Sequence, residues 1–248
     1  MSEPISQHEA VRRALEKAGG LATLGHLNHA ALREAGANWS GTKTPFASIR
    51  RIVQVHPDLF WRVRPGLWAL KSREAELRRE LELPLEGAPV AASERFDHGY
   101  YQGLLLQLGQ MEHFGTTVPA QDRNRRFLHT PLGQLATLPA PPAFTFERLM
   151  RHAVTIDVGW YNEREFPHAF FEVEHSTDIY NSLLKFLEFQ DLRARFVIVA
   201  DSVRRREYDD KMQRAAFAPL RGRAEFLPYE TLAQKHAGAA QSARLSEI

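Results

Sequence analysis

Between Thr155 and Val199 the chain sets out its elements in an order that leaves few architectures open. It reads T-I-D-V-G-W-Y-N, a turn, A-F-F-E-V-E-H-S-T, then I-Y-N-S-L-L-K-F-L-E-F-Q, then R-F-V-I-V. The composition predicts strand, strand, amphipathic helix and a fully buried strand over 194–200. Side chains alternate along a strand, so Glu172 and Glu174 share one face while Phe171 and Val173 share the other. If the first two runs pair as neighbours, Asp157, Glu172 and Glu174 converge at one end of a small sheet. Burying like charges together is costly unless a cation compensates. A hard divalent ion such as Mg²⁺, with Mn²⁺ as a substitute, suits an all-oxygen cluster of this kind. A solvated ladder of carboxylates on an open sheet face is the plainer alternative.

The rest of the chain narrows the setting. A length of 248 residues gives room for one large domain or two modest ones. There is no cysteine, which excludes disulfides, thiol nucleophiles and cysteine-based zinc sites. No run approaches the ~18 apolar residues of a membrane span, and the first residues lack a secretory pattern. A cytoplasmic protein is expected. Residues 1–80 carry 13 Lys and Arg against 8 Asp and Glu, and the remainder carries 19 against 22. A basic N-terminal module beside a mildly acidic one fits a nucleic-acid anchor joined to a carboxylate-bearing site.

The N-terminal module reads as three helices and a hairpin. Ser6 and Glu9 make a capping-box pattern before Val11, Leu15 and Ala18. Leu24, Leu27, Ala31 and Leu32 mark a second helix. Thr44-Pro45 places an N-cap and an N1 proline before a third, striped by Phe46, Ile49 and Val53. The run L-F-W-R-V, R-P-G, L-W-A-L then predicts two strands about a turn. This order, with T-P-x-x-x-I-x-x-I and F-x-R-x-x-P-G-L-W-x-L, resembles the winged helix-turn-helix type called HARE-HTH, over about residues 5–70. That family is associated with DNA-handling proteins. The resemblance implies duplex DNA as partner, with Lys43, Ser48, Arg51 and Gln54 on the recognition helix and Arg62 and Arg64 flanking the wing tip. Trp61 and Trp68 read as wing packing.

Over about residues 98–230 the order helix, strand, strand with Asp, strand with E-x-E, helix, strand, helix, strand resembles the restriction-endonuclease-like fold. The matching positions of its PD-(D/E)xK signature are Ile156-Asp157 and Glu172-Val173-Glu174. Isoleucine stands in the proline position, and Glu174 in the lysine position. The resemblance implies that Asp157 and Glu172 hold Mg²⁺, with the Val173 backbone carbonyl as a third oxygen. Glu174 would then serve as general base or hold a second ion. Lys185 is another source of a cation, although a helix face one or two turns on often points elsewhere. Glu112, expected at the end of the first helix of this domain, is a further metal ligand by analogy with relatives of the fold, or else an exposed helix-end charge. His175 falls opposite Glu174 and reads as a packing group, and His168 as a surface one. Arg123, Arg125 and Arg126, beside the expected active edge, are candidate phosphate contacts.

The expected fold class is thus mixed α/β: a winged helix-turn-helix over 1–72, a charged helix and linker over 73–97, and a restriction-endonuclease-like α/β/α core over 98–240. The expected function is a Mg²⁺-dependent DNA endonuclease of restriction or anti-phage type, working as a homodimer. Two alternatives stay open. One is a non-catalytic DNA-binding regulator or subunit on a nuclease-like scaffold, and the other a nuclease acting on RNA or modified DNA.

Overall fold

A computed structural model describes residues 4–83 and 94–242. The chain divides into two compact units, residues 1–85 with 233–248, and residues 86–232. Of the charged helix and linker expected over 73–97, residues 84–93 lie outside the described residues.

In the first unit, α1 (Gln7–Lys17), β1 (Leu21–Thr23), α2 (Leu24–Leu32), α3 (Pro45–Val55), β2 (Phe60–Arg64) and β3 (Leu67–Leu70) follow in order. Ser6 caps α1 by accepting from the Glu9 N–H at 3.3 Å. Pro45 opens α3 at a position where no N–H is needed, but Thr44 makes no side-chain cap. Gly66 turns the β2–β3 hairpin at φ +74°, a conformation that glycine adopts without strain. The sheet order is β1-β3-β2, all antiparallel. Strand β1 is too short for its L-A-T to announce itself in the sequence. The apolar stripes of the helices meet in one core, with Val11, Leu15, Leu27, Ile49, Val53, Phe60, Trp68 and Leu70 buried. Trp68 is core, while Trp61 lies under the Arg78 guanidinium at 4.6 Å. The charged helix α4 (Glu74–Glu80) belongs to this unit.

The second unit begins with α5 (Glu94–Met111) and β4 (Gly115–Thr117). The short hairpin β5 (Arg126–Phe127) and β6 (Thr130–Pro131) follows, then α6 (Leu132–Leu135), α7 (Glu147–Ala153), β7 (Val158–Tyr161), β8 (Pro167–Glu174), α8 (Ile179–Leu187), β9 (Arg195–Ala200), α9 (Arg205–Met212) and β10 (Ala224–Pro228). Five strands form one mixed sheet, β10-β9-β8-β7-β4, parallel from β10 to β8 and antiparallel beyond. On one face Phe170, Phe196 and Ile198 pack with Ile179, Leu183 and Phe186 of α8 and Tyr208 of α9. On the other, Trp160 packs against Phe171 (4.6 Å) and donates to the Leu105 carbonyl of α5 at 3.1 Å. Helices thus cover both faces, the mixed α/β architecture expected.

The last helix, α10 (Tyr229–Ser242), differs from the expectation of a second domain ending near residue 240. Its residues from Ala233 onward group with the first unit. There His29 Nε2 of α2 lies 2.5 Å from the Ala240 carbonyl oxygen, and His236 is buried. An apolar helix face with Leu232, Ala233, Ala237 and Ala240 carries no mark in the sequence of what it will pack against.

Candidate active site

The β7–β8 register builds the site. Val158 stands opposite Phe171, so the antiparallel count carries Asp157, just before β7, opposite Glu172. The Asp157 carboxylate is fixed from one side: its Oδ2 accepts from the Val173 N–H at 2.8 Å. Its own N–H points at Glu172 Oε1, 3.4 Å away. Asp157 and Glu172 thus stand as neighbours across the two strands.

Glu172 and Glu174 face α8, as their alternation requires, and both are buried, 2% and 5% exposed. Asp178 caps α8 by accepting from the Tyr180 N–H at 2.8 Å, which sets the phase of the helix. That phase points Ser182 and Lys185 at the strand. Lys185 Nζ lies 2.7 Å from Glu172 Oε2, and the Ser182 hydroxyl lies 3.2 Å from the same oxygen. Ser182 also hydrogen-bonds Glu174 Oε1, and Thr177 donates to Glu174 Oε2. Burial, then the charge of Asp157, push the Glu172 pKa above the ordinary carboxylate range, with Lys185 opposing. Lys185 alone does not offset the burial and repulsion acting on Glu172.

A second group gathers on the α5 side. Helix α5 starts at Glu94, inside the stretch expected as linker, which brings His98 and Gln102, one turn apart, onto one face. His98 Nε2 lies 3.6 Å from Asp157 Oδ1 and 3.7 Å from Asp122 Oδ2. Gln102 Nε2 donates to Asp122 Oδ2 at 2.9 Å and to the Asp157 carbonyl at 3.1 Å. Arg125 Nε closes the other side of Asp122 at 2.6 Å. Burial works against a charge on His98, but Asp122 and Asp157 outweigh it and raise the imidazole to about 9. Burial likewise opposes ionisation of Asp122, and the nearby His98 imidazole, the Gln102 amide and the Arg125 guanidinium keep its pKa below the usual value.

The family described as type II restriction enzyme NmeDI C-terminal domain matches residues 82–246. The chain belongs to that family. No curated protein and no solved structure matches it. The NmeDI C-terminal domain match spans every residue of both groups around Asp157.

Other sequence-derived candidates within the NmeDI-type region fall differently. Glu112 is a correction: it lies just beyond α5, where its charge is felt by His168 and Arg195 at the opposite end of β8 and β9 from Glu172. The helix contributes to the site through its first turns instead. Glu174 is brought to the site, but both its oxygens are taken by hydroxyls. Val173 touches Asp157 through its N–H. His175 turns to the α5 side, its Nε2 3.5 Å from Asp97 Oδ2, while His168 stacks on Phe114 at 4.2 Å. Of the three arginines, Arg125 borders the site, Arg123 is bonded to the Pro139 carbonyl at 2.6 Å, and Arg126 is exposed. The residues missed were His98, Gln102, Ser182 and Asp122. The i, i+4 pair His98–Gln102 was the one local signal for them.

Proposed function

We propose that this chain is a divalent-metal-dependent DNA endonuclease of restriction type. The observation that carries the reading is a buried Glu172 held opposite Asp157, with Lys185 at 2.7 Å. The donor set fits a hard cation: two carboxylates are brought together where burial and mutual repulsion disfavour both being charged. Asp157 and Glu172 would hold the ion, with the Val173 carbonyl as the proposed third oxygen. When bound, Mg²⁺ supplies charge neutralisation at the scissile phosphate and a more acidic water. Lys185 restores from α8 the positive charge that Glu174 cannot supply in the strand, and holds Glu172 Oε2 in place. Glu174 positions α8 through Ser182 and Thr177. Arg125, at the rim, is placed to meet a phosphate.

For DNA binding we propose that the first unit acts as a winged helix-turn-helix. Supporting this are its three helices and hairpin, and the exposure of Lys43, Arg51 and Gln54 on and just before α3 and of Arg62 on β2. Ser48 is half-buried, its hydroxyl 3.3 Å from the Thr44 carbonyl, and Arg64 donates to the Val63 carbonyl at 2.7 Å. Cutting two strands calls for two sites, so the working form is taken to be a homodimer. Light scattering of purified protein tests the dimer. Plasmid cleavage in Mg²⁺ or Mn²⁺, abolished by chelation and by Glu172→Gln, tests the enzyme. Protein that shifts duplex DNA but never cuts it would instead favour the DNA-binding regulator.

A further inference from the structure

We infer that His98, Asp122 and Asp157 form a second cation site, one that selects a transition metal such as Mn²⁺ over Mg²⁺. The three donor atoms all lie within 4.8 Å of one another. The gaps from His98 Nε2, 3.6 and 3.7 Å, are too long for hydrogen bonds. They are close to the ~3.3–3.6 Å that separates two donors on a tetrahedral ion with bonds of about 2.0–2.2 Å. A second observation is independent of the acidic groups. Gln102 is fully buried, its amide nitrogen bonds both Asp122 and the Asp157 carbonyl, and its Oε1, on the same carbon, meets no donor. Buried polar atoms without a partner are rare, and an ion or its bound water would satisfy this one.

The donor types set the selectivity. Imidazole nitrogen suits Fe²⁺, Co²⁺ and Zn²⁺ best and is accepted by Mn²⁺ beside carboxylates, whereas Mg²⁺ prefers oxygen alone. Ligation takes the neutral imidazole, so the ion stands in for a proton on Nε2. Asp157 belongs to both groups, and its link to Glu172 rests on the proposed nuclease reading; metal uptake by the His98 group does not.

The test is Mn²⁺ titration of the full chain, followed by electron paramagnetic resonance. Wild type should take up two ions, one of them coupled to an imidazole nitrogen. Glu172→Gln should keep the nitrogen-coupled ion, His98→Ala should lose it and keep the other, and Asp157→Asn should lose both. Excess Mg²⁺ should displace only the uncoupled ion. Asp122→Asn provides a second route should His98→Ala fold poorly, and it should also lose the nitrogen coupling. The inference is overturned if neither wild type nor Glu172→Gln shows nitrogen coupling, or if the coupling survives in folded His98→Ala. Cleavage without nitrogen coupling would remove this site and leave the nuclease reading. Nitrogen coupling without cleavage under any metal would do the reverse.

Discussion

The two sides of the β7–β8 edge hold carboxylates in different ways. On the α8 side, donors from the short stretch Thr177–Lys185 meet both oxygens of Glu174 and one of Glu172. On the α5 side, His98 stands beyond hydrogen-bonding range of two carboxylates and Gln102 keeps an unmatched oxygen. The first arrangement is nearly saturated by its own protein donors and lacks chiefly charge. The second lacks an atom. Elements adjacent in sequence can evolve matched donors for one another, whereas the α5-side group is assembled from α5, the loop before β5 and the approach to β7, which are distant in sequence.

The largest effect should come from Glu172→Gln. DNA cleavage should fall about a thousandfold, equivalent to about 4 kcal/mol, with only a small change in thermal stability, because a disfavoured buried charge is removed and Lys185 keeps access to water. A large stability loss would mean that the charged Glu172 is structural, and the contrast between the sides would weaken.

A comparison of the half-buried His98 with the buried His236 gives the next effect. Where His98 is raised by its carboxylates, burial alone lowers His236 from 6.5 to about 4. The folded chain keeps His236 neutral while the unfolded chain takes up a proton below about pH 6.5. Its contribution is therefore complete above 6.5 and is lost as pH falls through about 4. The first unit should lose about 3 kcal/mol over that interval, read from denaturant melts. A His236→Leu variant should flatten the slope.

Lys185→Ala should lower cleavage about a hundredfold, near 2.7 kcal/mol, without removing the nitrogen-coupled Mn²⁺ signal. Loss of that signal would merge the two sides into one.

Gly103→Ala should act on the α5 side alone. A methyl group there runs into the Phe127 ring of β5, and overpacking of this kind costs about 2 kcal/mol. The melting temperature should drop while Mg²⁺-driven cleavage falls less than tenfold. A collapse of cleavage equal to that of Glu172→Gln would show that the sides do not separate.

Glu112→Ala should be the smallest effect, leaving cleavage within about twofold, as expected for an exposed charge at the far end of β8. A severe loss would return Glu112 to the site and displace His98 from it.

The legibility of these residues follows how local their constraints are. The alternation in A-F-F-E-V-E sets the faces of Glu172 and Glu174 by itself, since strand geometry has period two. The buried run before Ala200 and the amphipathic helix of Ile179–Leu187 declare themselves for the same reason. Lys185 was visible as a charge but not as a neighbour of Glu172, because its direction depends on where Asp178 starts the helix. The early start of α5 hid His98, as helix ends carry weaker patterns than helix centres.

What the sequence determined was therefore the mixed α/β class, the pairing of Asp157 with Glu172, and the shared face of Glu172 and Glu174. These rest on backbone periodicity, which acts between neighbouring residues. Tertiary structure alone decided that Lys185 meets Glu172, that His98 and Asp122 close on Asp157, and that the end of α10 groups with the first unit. Those depend on how whole elements pack, where the free energy comes from burial that no short stretch of chain specifies.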